Sequence, residues 1–142
     1  METWVREKSS FADGIGYRGG DESLLIEASS GGLAEDLTHT LGDSLKLLQN
    51  LIGIINTNRA RFQNATSQTF GRFKAIGIQS IKTTITLISV SQSSNGQFVY
   101  QQHRSSEVPV SFDQRYRTLP LFELLACLLV LRYSLLMHPG ID

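Results

Sequence analysis

The sequence predicts an α+β domain, because one stretch has helical periodicity, another has strand composition around a hairpin signal, and the last is a continuous apolar run. We expect one long amphipathic N-terminal helix, a small antiparallel sheet built on a hairpin that turns at Asn95-Gly96, and a hydrophobic C-terminal helix. With 142 residues the chain is long enough for one domain with a buried core. Residues 1–22 are expected to form a flexible acidic arm, and residues 23–142 a single α+β domain.

The arm is rich in glycine and serine and has no hydrophobic period. Gly14, Gly16 and Gly19 match the G-x-G-x-x-G pattern of a dinucleotide-binding loop. The residues that follow are acidic and do not open a helix, so a linker is the favoured interpretation. Residues 23–28 have the composition of a short strand.

The long amphipathic helix is predicted to begin near Leu33, because apolar residues recur every three or four positions from there. So wide an apolar stripe indicates burial against a sheet, another helix or a second copy, with a core-facing helix favoured. Residues 56–58 are poor helix formers. The helix is therefore expected either to break there, with a second helix over residues 59–74, or to continue through.

A β-hairpin follows, with its first strand over the β-branched residues 80–90 and its return strand over residues 97–103. Asn95-Gly96 between them is a strong hairpin signal, because both residue types tolerate positive φ. Residues 108–112 are predicted as a third strand. Pro109 would confine that strand to an edge of the sheet.

The C-terminal helix is predicted from about Pro120 to Met137 and is apolar on nearly every side. Such a helix is expected at the centre of the fold or in a subunit interface. The apolar stretch over residues 121–137 contains Glu123 and Arg132, and it is shorter than the roughly 20 residues that span a bilayer. The protein is therefore not expected to be transmembrane.

The charges are segregated along the chain, since no acidic residue lies between Asp43 and Glu107. A basic stretch of this kind predicts a surface for an anionic partner, provided that folding gathers the charges. The candidate anion-binding or nucleic-acid-binding residues are Arg59, Arg61, Arg72, Lys74, Lys82 and Arg104. Alternatively, the basic stretch pairs with the acidic N-terminal arm of the same protein.

No catalytic, cofactor-binding or metal-binding motif stands out, so we expect a protein that is not an enzyme and has no cofactor. Three histidines and one cysteine do not provide the spacing of a zinc site. The start of the chain has no apolar leader, and the single cysteine suits a reducing compartment. An intracellular location is therefore expected, and the small, charge-split layout suits an accessory protein of viral or effector type.

The favoured hypothesis for function is a non-enzymatic oligomerising or protein-interaction module that is homodimeric and has a basic central surface. Its partner would be a second copy or another protein. The candidate interface residues are Leu41, Leu45, Leu48, Ile52, Ile55, Leu128 and Leu131. The alternative is an accessory protein that binds nucleic acid, RNA in particular, or an anionic membrane through the basic segment of residues 59–104.

Overall fold

The computed structural model describes residues 12–29 and 37–136. Within these residues, five strands form one sheet and three helices accompany it, which confirms the α+β prediction. The strands are β1 (Gly14–Arg18), β2 (Asp21–Ser29), β3 (Lys74–Ile81), β4 (Thr84–Gln92) and β5 (Phe98–Glu107). The helices are α1 (Leu37–Arg61), α2 (Ser67–Phe70) and α3 (Thr118–Leu136), and a 3₁₀ helix (Phe112–Arg117) leads into α3.

The strands follow one another across the sheet in the order β1-β2-β3-β4-β5. Strands β2 and β3 pair in parallel, with α1 as the connection between them, and the other neighbours pair antiparallel. A parallel pair needs such a crossover, because a tight turn can join only antiparallel strands. The sheet is therefore larger than predicted and mixed rather than antiparallel.

One face of the sheet is covered by α1. Leu47, Leu51 and Ile55 of this helix are buried against Leu25 of β2 and Ile88 of β4. Phe70 of α2 completes this core.

The opposite face of the sheet is covered by α3. Leu24, Ile76 and Leu87 come from three neighbouring strands and pack with Leu124 of the helix. Leu24 and Leu25 point to opposite faces because side chains alternate along a strand. The protein thus has three layers, with the sheet between α1 and α3.

The long helix continues through residues 56–58, as the second of the two alternatives proposed, and ends at Arg61. Asn58 is accommodated there because its side-chain amide donates a hydrogen bond to the carbonyl oxygen of Ile54 at 2.9 Å. The alternative of a second helix over residues 59–74 is wrong. Only the short α2 forms in that interval, with Thr66 capping its first turn.

The hairpin around Asn95-Gly96 joins β4 to β5, and Gly96 has a φ of 86°. The single strand predicted over residues 80–90 is divided by a turn in which Lys82 has a φ of 54°, so its first residues belong to β3. No strand forms over residues 108–112. Pro109 lies in the connection that precedes the 3₁₀ helix.

The predicted boundary at residue 22 falls inside β2, and residues 14–18 of the predicted arm form β1. Residues 1–11 of that arm lie outside the described residues. None of the described helices combines the length and the apolarity that crossing a membrane requires.

Candidate protein-interaction surface

Helix α3 exposes a continuous row of large apolar side chains. Leu129 is 68% exposed, Val130 66% and Phe122 60%, although residues of these types are usually buried. The row, called the α3 stripe below, consists of Leu119, Phe122, Leu125, Ala126, Leu129, Val130 and Tyr133. Their spacing of three and four residues places them along one side of the helix.

The α3 stripe faces away from the sheet. Leu124 is fully buried against the sheet, and Tyr133 lies nine residues later, which is a rotation of about 180° around the helix. Cys127, Leu128 and Leu131 pack on the same side as Leu124. The helix thus buries one apolar side and presents a second one to the surroundings.

The charged side chains of α3 are directed to the two edges of the sheet. Glu123 accepts a hydrogen bond from Arg104 of β5 at 2.8 Å, and Arg132 donates one to the carbonyl oxygen of Tyr17 in β1 at 3.2 Å. The α3 stripe between them contains no charged residue. Exposed helices normally carry their charges on the outer side, so this arrangement reverses the usual pattern.

The apolar surface continues into the 3₁₀ helix. Phe112 and Tyr116 are strongly exposed, and the guanidinium of Arg115 lies 4.2 Å from the centre of the Phe112 ring. Arg117 forms an ion pair with Glu107 at 2.6 Å. This pair fastens the start of α3 to the end of β5.

The seven interface residues predicted from the sequence divide between the cores and the surface. Five pack in or against the two cores, namely Leu48, Ile52, Ile55, Leu128 and Leu131. Leu41 and Leu45 are exposed on α1. None of the seven belongs to the α3 stripe, because the sequence of α3 is apolar all round and does not reveal which side meets the sheet.

The basic candidates partly converge. Strands β2 and β3 are parallel, so Asp21 and Lys74, the first residues of the two strands, lie at the same end of the sheet. Arg61 contacts Asp21, and Arg59 donates a hydrogen bond to the side chain of Gln92 at 3.0 Å. The C-terminal end of α1 therefore lies at the same end of the sheet. We call this end, which carries Arg18, Arg59, Arg61, Arg72 and Lys74, the basic end.

The other two candidates lie elsewhere. Lys82 is in the turn between β3 and β4 at the opposite end of the sheet, and Arg104 is paired with Glu123.

At the basic end, Arg59 lies 5.2 Å from the centre of the Phe70 ring, which is itself buried in the core. Arg72 forms no ion pair within the described part of the chain.

A buried carboxylate lies towards the end of the sheet that is opposite the basic end. Glu27 is 3% exposed and accepts a hydrogen bond from Lys46 at 2.5 Å. This hydrogen bond is the main reason that the pKa of Lys46 is raised, and the carboxylates of Asp13 and Asp43 contribute as well. The group is a local ion pair that joins β2 to α1.

His103 and Ser89 form a hydrogen-bonded pair, with 2.8 Å between Nε2 and Oγ. Ser89 is 2% exposed, so the pair satisfies a buried hydroxyl and presents no nucleophile at the surface. Burial lowers the pKa of His103, and the positive charge of Lys74 lowers it further. Within residues 12–29 and 37–136, no three His, Cys, Asp or Glu side chains are placed to hold a metal ion.

A cleft of about 530 Å³ lies between β1 and α1. Its floor includes Leu25 and Ile54, and Gly53 leaves it open on the helix side. The ion pair between Arg61 and Asp21 is at its rim. The cleft is lined by side chains of mixed polarity.

Comparisons of the chain with protein-family models, with curated proteins and with solved structures found no match.

Proposed function

We propose that this protein is a non-enzymatic protein-interaction module that binds another protein chain through the α3 stripe. The observation that carries the proposal is the row of exposed side chains from Leu119 to Tyr133 with no charge among them. Soluble monomers rarely expose a contiguous apolar patch larger than a few hundred Å² unless it is an interaction site.

The size of the patch supports the proposal. An aromatic side chain has about 150–250 Å² of surface, and the leucines and the valine of the α3 stripe have less. A stripe side chain that is about 60% exposed therefore presents roughly 100 Å². The six large side chains of the α3 stripe then present roughly 600 Å². At about 25 cal/mol per Å² their burial offers on the order of 15 kcal/mol. The cost of association is about 4–15 kcal/mol, so the burial of the α3 stripe is comparable with it.

The proposal is tested by measuring whether the α3 stripe is covered in the presence of cellular proteins. In a chain whose Cys127 is replaced by alanine, a single cysteine is introduced by Leu129→Cys or, as the matched control, by Leu45→Cys. Both leucines are exposed, on α3 and α1 respectively. A polar maleimide should react with the cysteine at position 129 at least about 10-fold more slowly in concentrated extract than in dilute purified protein.

The control cysteine at position 45 should react at similar rates in both conditions. Circular dichroism of both variants checks that they fold. Equal protection factors at the two positions would mean that the α3 stripe is no more covered than any exposed leucine, and would overturn the proposal.

A second candidate function is the binding of an anionic partner, single-stranded RNA, at the basic end. It is supported by the convergence of Arg59, Arg72 and Lys74 at one end of the sheet. Phe98, at the start of β5 beside them, is 40% exposed. Arginine and lysine neutralise phosphates, and an exposed aromatic ring stacks on an unpaired base.

The second candidate is tested by fluorescence anisotropy with a labelled single-stranded RNA at 50 mM and 200 mM salt, concentrations at which phosphate contacts differ strongly. The double variant Arg72→Ala/Lys74→Ala should weaken binding about 10-fold or more at the lower salt concentration. Lys82→Ala, at the opposite end of the sheet, should leave binding unchanged. Binding that is absent, or that responds equally to both variants, contradicts an RNA site at the basic end.

A further inference from the structure

We propose that the partner covering the α3 stripe is a second copy of this chain, packed so that the two α3 helices run antiparallel and cross at Ala126. This inference rests on the proposed function, because it names the occupant of the same surface. Three properties of the α3 stripe support it: its internal symmetry, the position of its neighbouring charges and its area.

Four side chains of the α3 stripe are arranged symmetrically about Ala126, whereas the positions that correspond to Leu125 and Leu129 are Cys127 and Glu123, which lie outside the stripe. Leu119 and Tyr133 lie seven residues before and after it, and Phe122 and Val130 lie four residues before and after it. A two-fold axis through Ala126 therefore sets Leu119 of one copy against Tyr133 of the other, and Phe122 against Val130. Residue pairs of this kind are what an isologous interface requires, since each surface must complement itself.

The small side chain at the centre of the α3 stripe suits a helix crossing. Helices pack with their axes about 8–10 Å apart, and the distance depends on the side chains at the contact point. Ala126 allows the closest approach there, and the larger Phe122 and Leu129 on either side of it would fill the space beyond the crossing.

The charges around the α3 stripe favour the antiparallel arrangement. Arg115 is exposed just before α3 and has no ion pair within the described residues. In a parallel pair, the Arg115 side chains of both copies would lie near each other and repel. In the antiparallel pair they lie at opposite ends, and the helix dipoles also oppose one another favourably.

The area is sufficient for a dimer. A standard protein interface buries about 800 Å² on each partner. The α3 stripe supplies roughly 600 Å² of this. Phe112 and Tyr116, which are exposed beside the start of α3, extend the apolar surface further.

The first test is the molar mass of the purified full chain by light scattering and sedimentation. The wild-type chain should have twice the monomer mass of 15.8 kDa at micromolar concentration. Leu129→Glu should weaken association at least about 30-fold, as for a central interface residue. Leu45→Glu, a matched change at an exposed leucine of α1, should leave the dimer intact.

The second test fixes the register by oxidation of single cysteines in a chain with Cys127→Ala. Ala126→Cys should form a disulfide between copies, because the two-fold axis brings its Cβ atoms together. Tyr133→Cys should not, because the two cysteines would be about 21 Å apart along the helices. The double variant Leu119→Cys/Tyr133→Cys should cross-link again.

The outcomes separate this inference from the proposed function. If the purified chain is monomeric at all concentrations but position 129 is protected in extract, a different protein covers the α3 stripe and the second copy is excluded. If the chain is dimeric and Leu129→Glu has no effect, the dimer uses another surface and this inference fails. Cross-linking through Tyr133→Cys alone would contradict the antiparallel arrangement.

Discussion

Lys46 of α1 donates a hydrogen bond to Glu27 of β2 at 2.5 Å, and the side chain of Glu27 is only 4% exposed. The second carboxylate oxygen of Glu27 is buried and has no hydrogen-bond partner within the described residues. A buried charge is tolerated only when it is well compensated. Lys46 therefore neutralises a carboxylate that lies at the contact between the helix and the sheet.

Replacing Lys46 by methionine should destabilise the protein by about 2–3 kcal/mol. This is less than the roughly 3–5 kcal/mol of a fully buried pair, because the Lys46 side chain is 37% exposed. Urea unfolding measures the change. The double variant Glu27→Met/Lys46→Met should recover most of the loss, since it removes the uncompensated charge. A single variant as stable as the wild type would show that Glu27 is not held by Lys46.

Gly77 of β3 should not tolerate a side chain. A Cβ atom there would lie 2.9 Å from Leu51 of α1 and 2.9 Å from Ile88 of β4, inside van der Waals contact. Gly77→Ala should therefore cost about 1–3 kcal/mol of stability, because the buried side chains of Leu51 and Ile88 must shift to make room. Thermal and urea unfolding test this. A neutral effect would contradict the close approach of α1 to β3.

Gly53 of α1 is the matched control. Its Cβ atom would meet nothing within 4 Å, so the substitution is sterically free. Gly53→Ala should stabilise the protein by about 0.5–1 kcal/mol, because alanine loses less conformational entropy in a helix than glycine does. We therefore expect Gly53→Ala to raise the free energy of unfolding and Gly77→Ala to lower it.

His103 should make the stability decrease as the pH falls below about 6.5. Burial and the nearby Lys74 lower the pKa of His103 in the folded protein below its usual 6.5. The unfolded chain therefore binds a proton at His103 more readily than the folded protein does. The stability that comes from the neutral His103 is fully present above pH 6.5 and is lost as the pH falls towards the folded pKa.

His103→Gln should flatten this dependence, because glutamine can still hydrogen-bond to Ser89 but does not titrate. Lys74→Met should reduce it, since one cause of the lowered pKa is removed. The measurement is the urea midpoint at several pH values, with the His103 titration followed by NMR. An unchanged pH profile in His103→Gln would assign the effect to other groups.

The docking of α3 on the sheet should depend on Leu124 far more than on Glu123. Leu124 is fully buried, so Leu124→Ala should cost about 2–5 kcal/mol. The ion pair of Glu123 with Arg104 is about half exposed on both sides, and Glu123→Gln should change the stability by less than about 1 kcal/mol. Urea unfolding of the two variants compares their stabilities. A larger loss of stability for Glu123→Gln than for Leu124→Ala would show that the ion pair, and not the apolar core, holds α3 on the sheet.

The sequence predicted those elements whose signal is local. Apolar periodicity predicted α1, and Asn95-Gly96 predicted the turn between β4 and β5. The turn at Lys82 was missed because Lys82 and Thr83 are not turn-forming residue types and the β-branched run continues across them. Only long-range pairing of β3 with its two neighbours divides that run.

Other features depend on which element packs against a residue, and the sequence alone does not give this. Strand β1 has glycine at two of its five positions, because Gly14 and Gly16 lie directly against Ile26 and Leu24 of β2. Only Ile15 and Tyr17 then carry its hydrophobic alternation, which is too short to predict a strand. The α3 stripe could not be predicted either, because its helix has too many apolar residues rather than too few. Both sides of α3 are apolar, and only the position of the sheet distinguishes the buried side from the exposed one.

The central claim, that a second copy of the chain covers the α3 stripe, is tested most directly on the wild-type protein by hydroxyl-radical footprinting. Tyr133 of the stripe and Tyr17 of β1 are 59% and 58% exposed in the single chain, so they are matched probes. In concentrated purified protein Tyr133 should be oxidised several-fold more slowly than Tyr17, and the difference should vanish on dilution. Equal oxidation of the two tyrosines at every concentration would contradict coverage of the α3 stripe by a second copy.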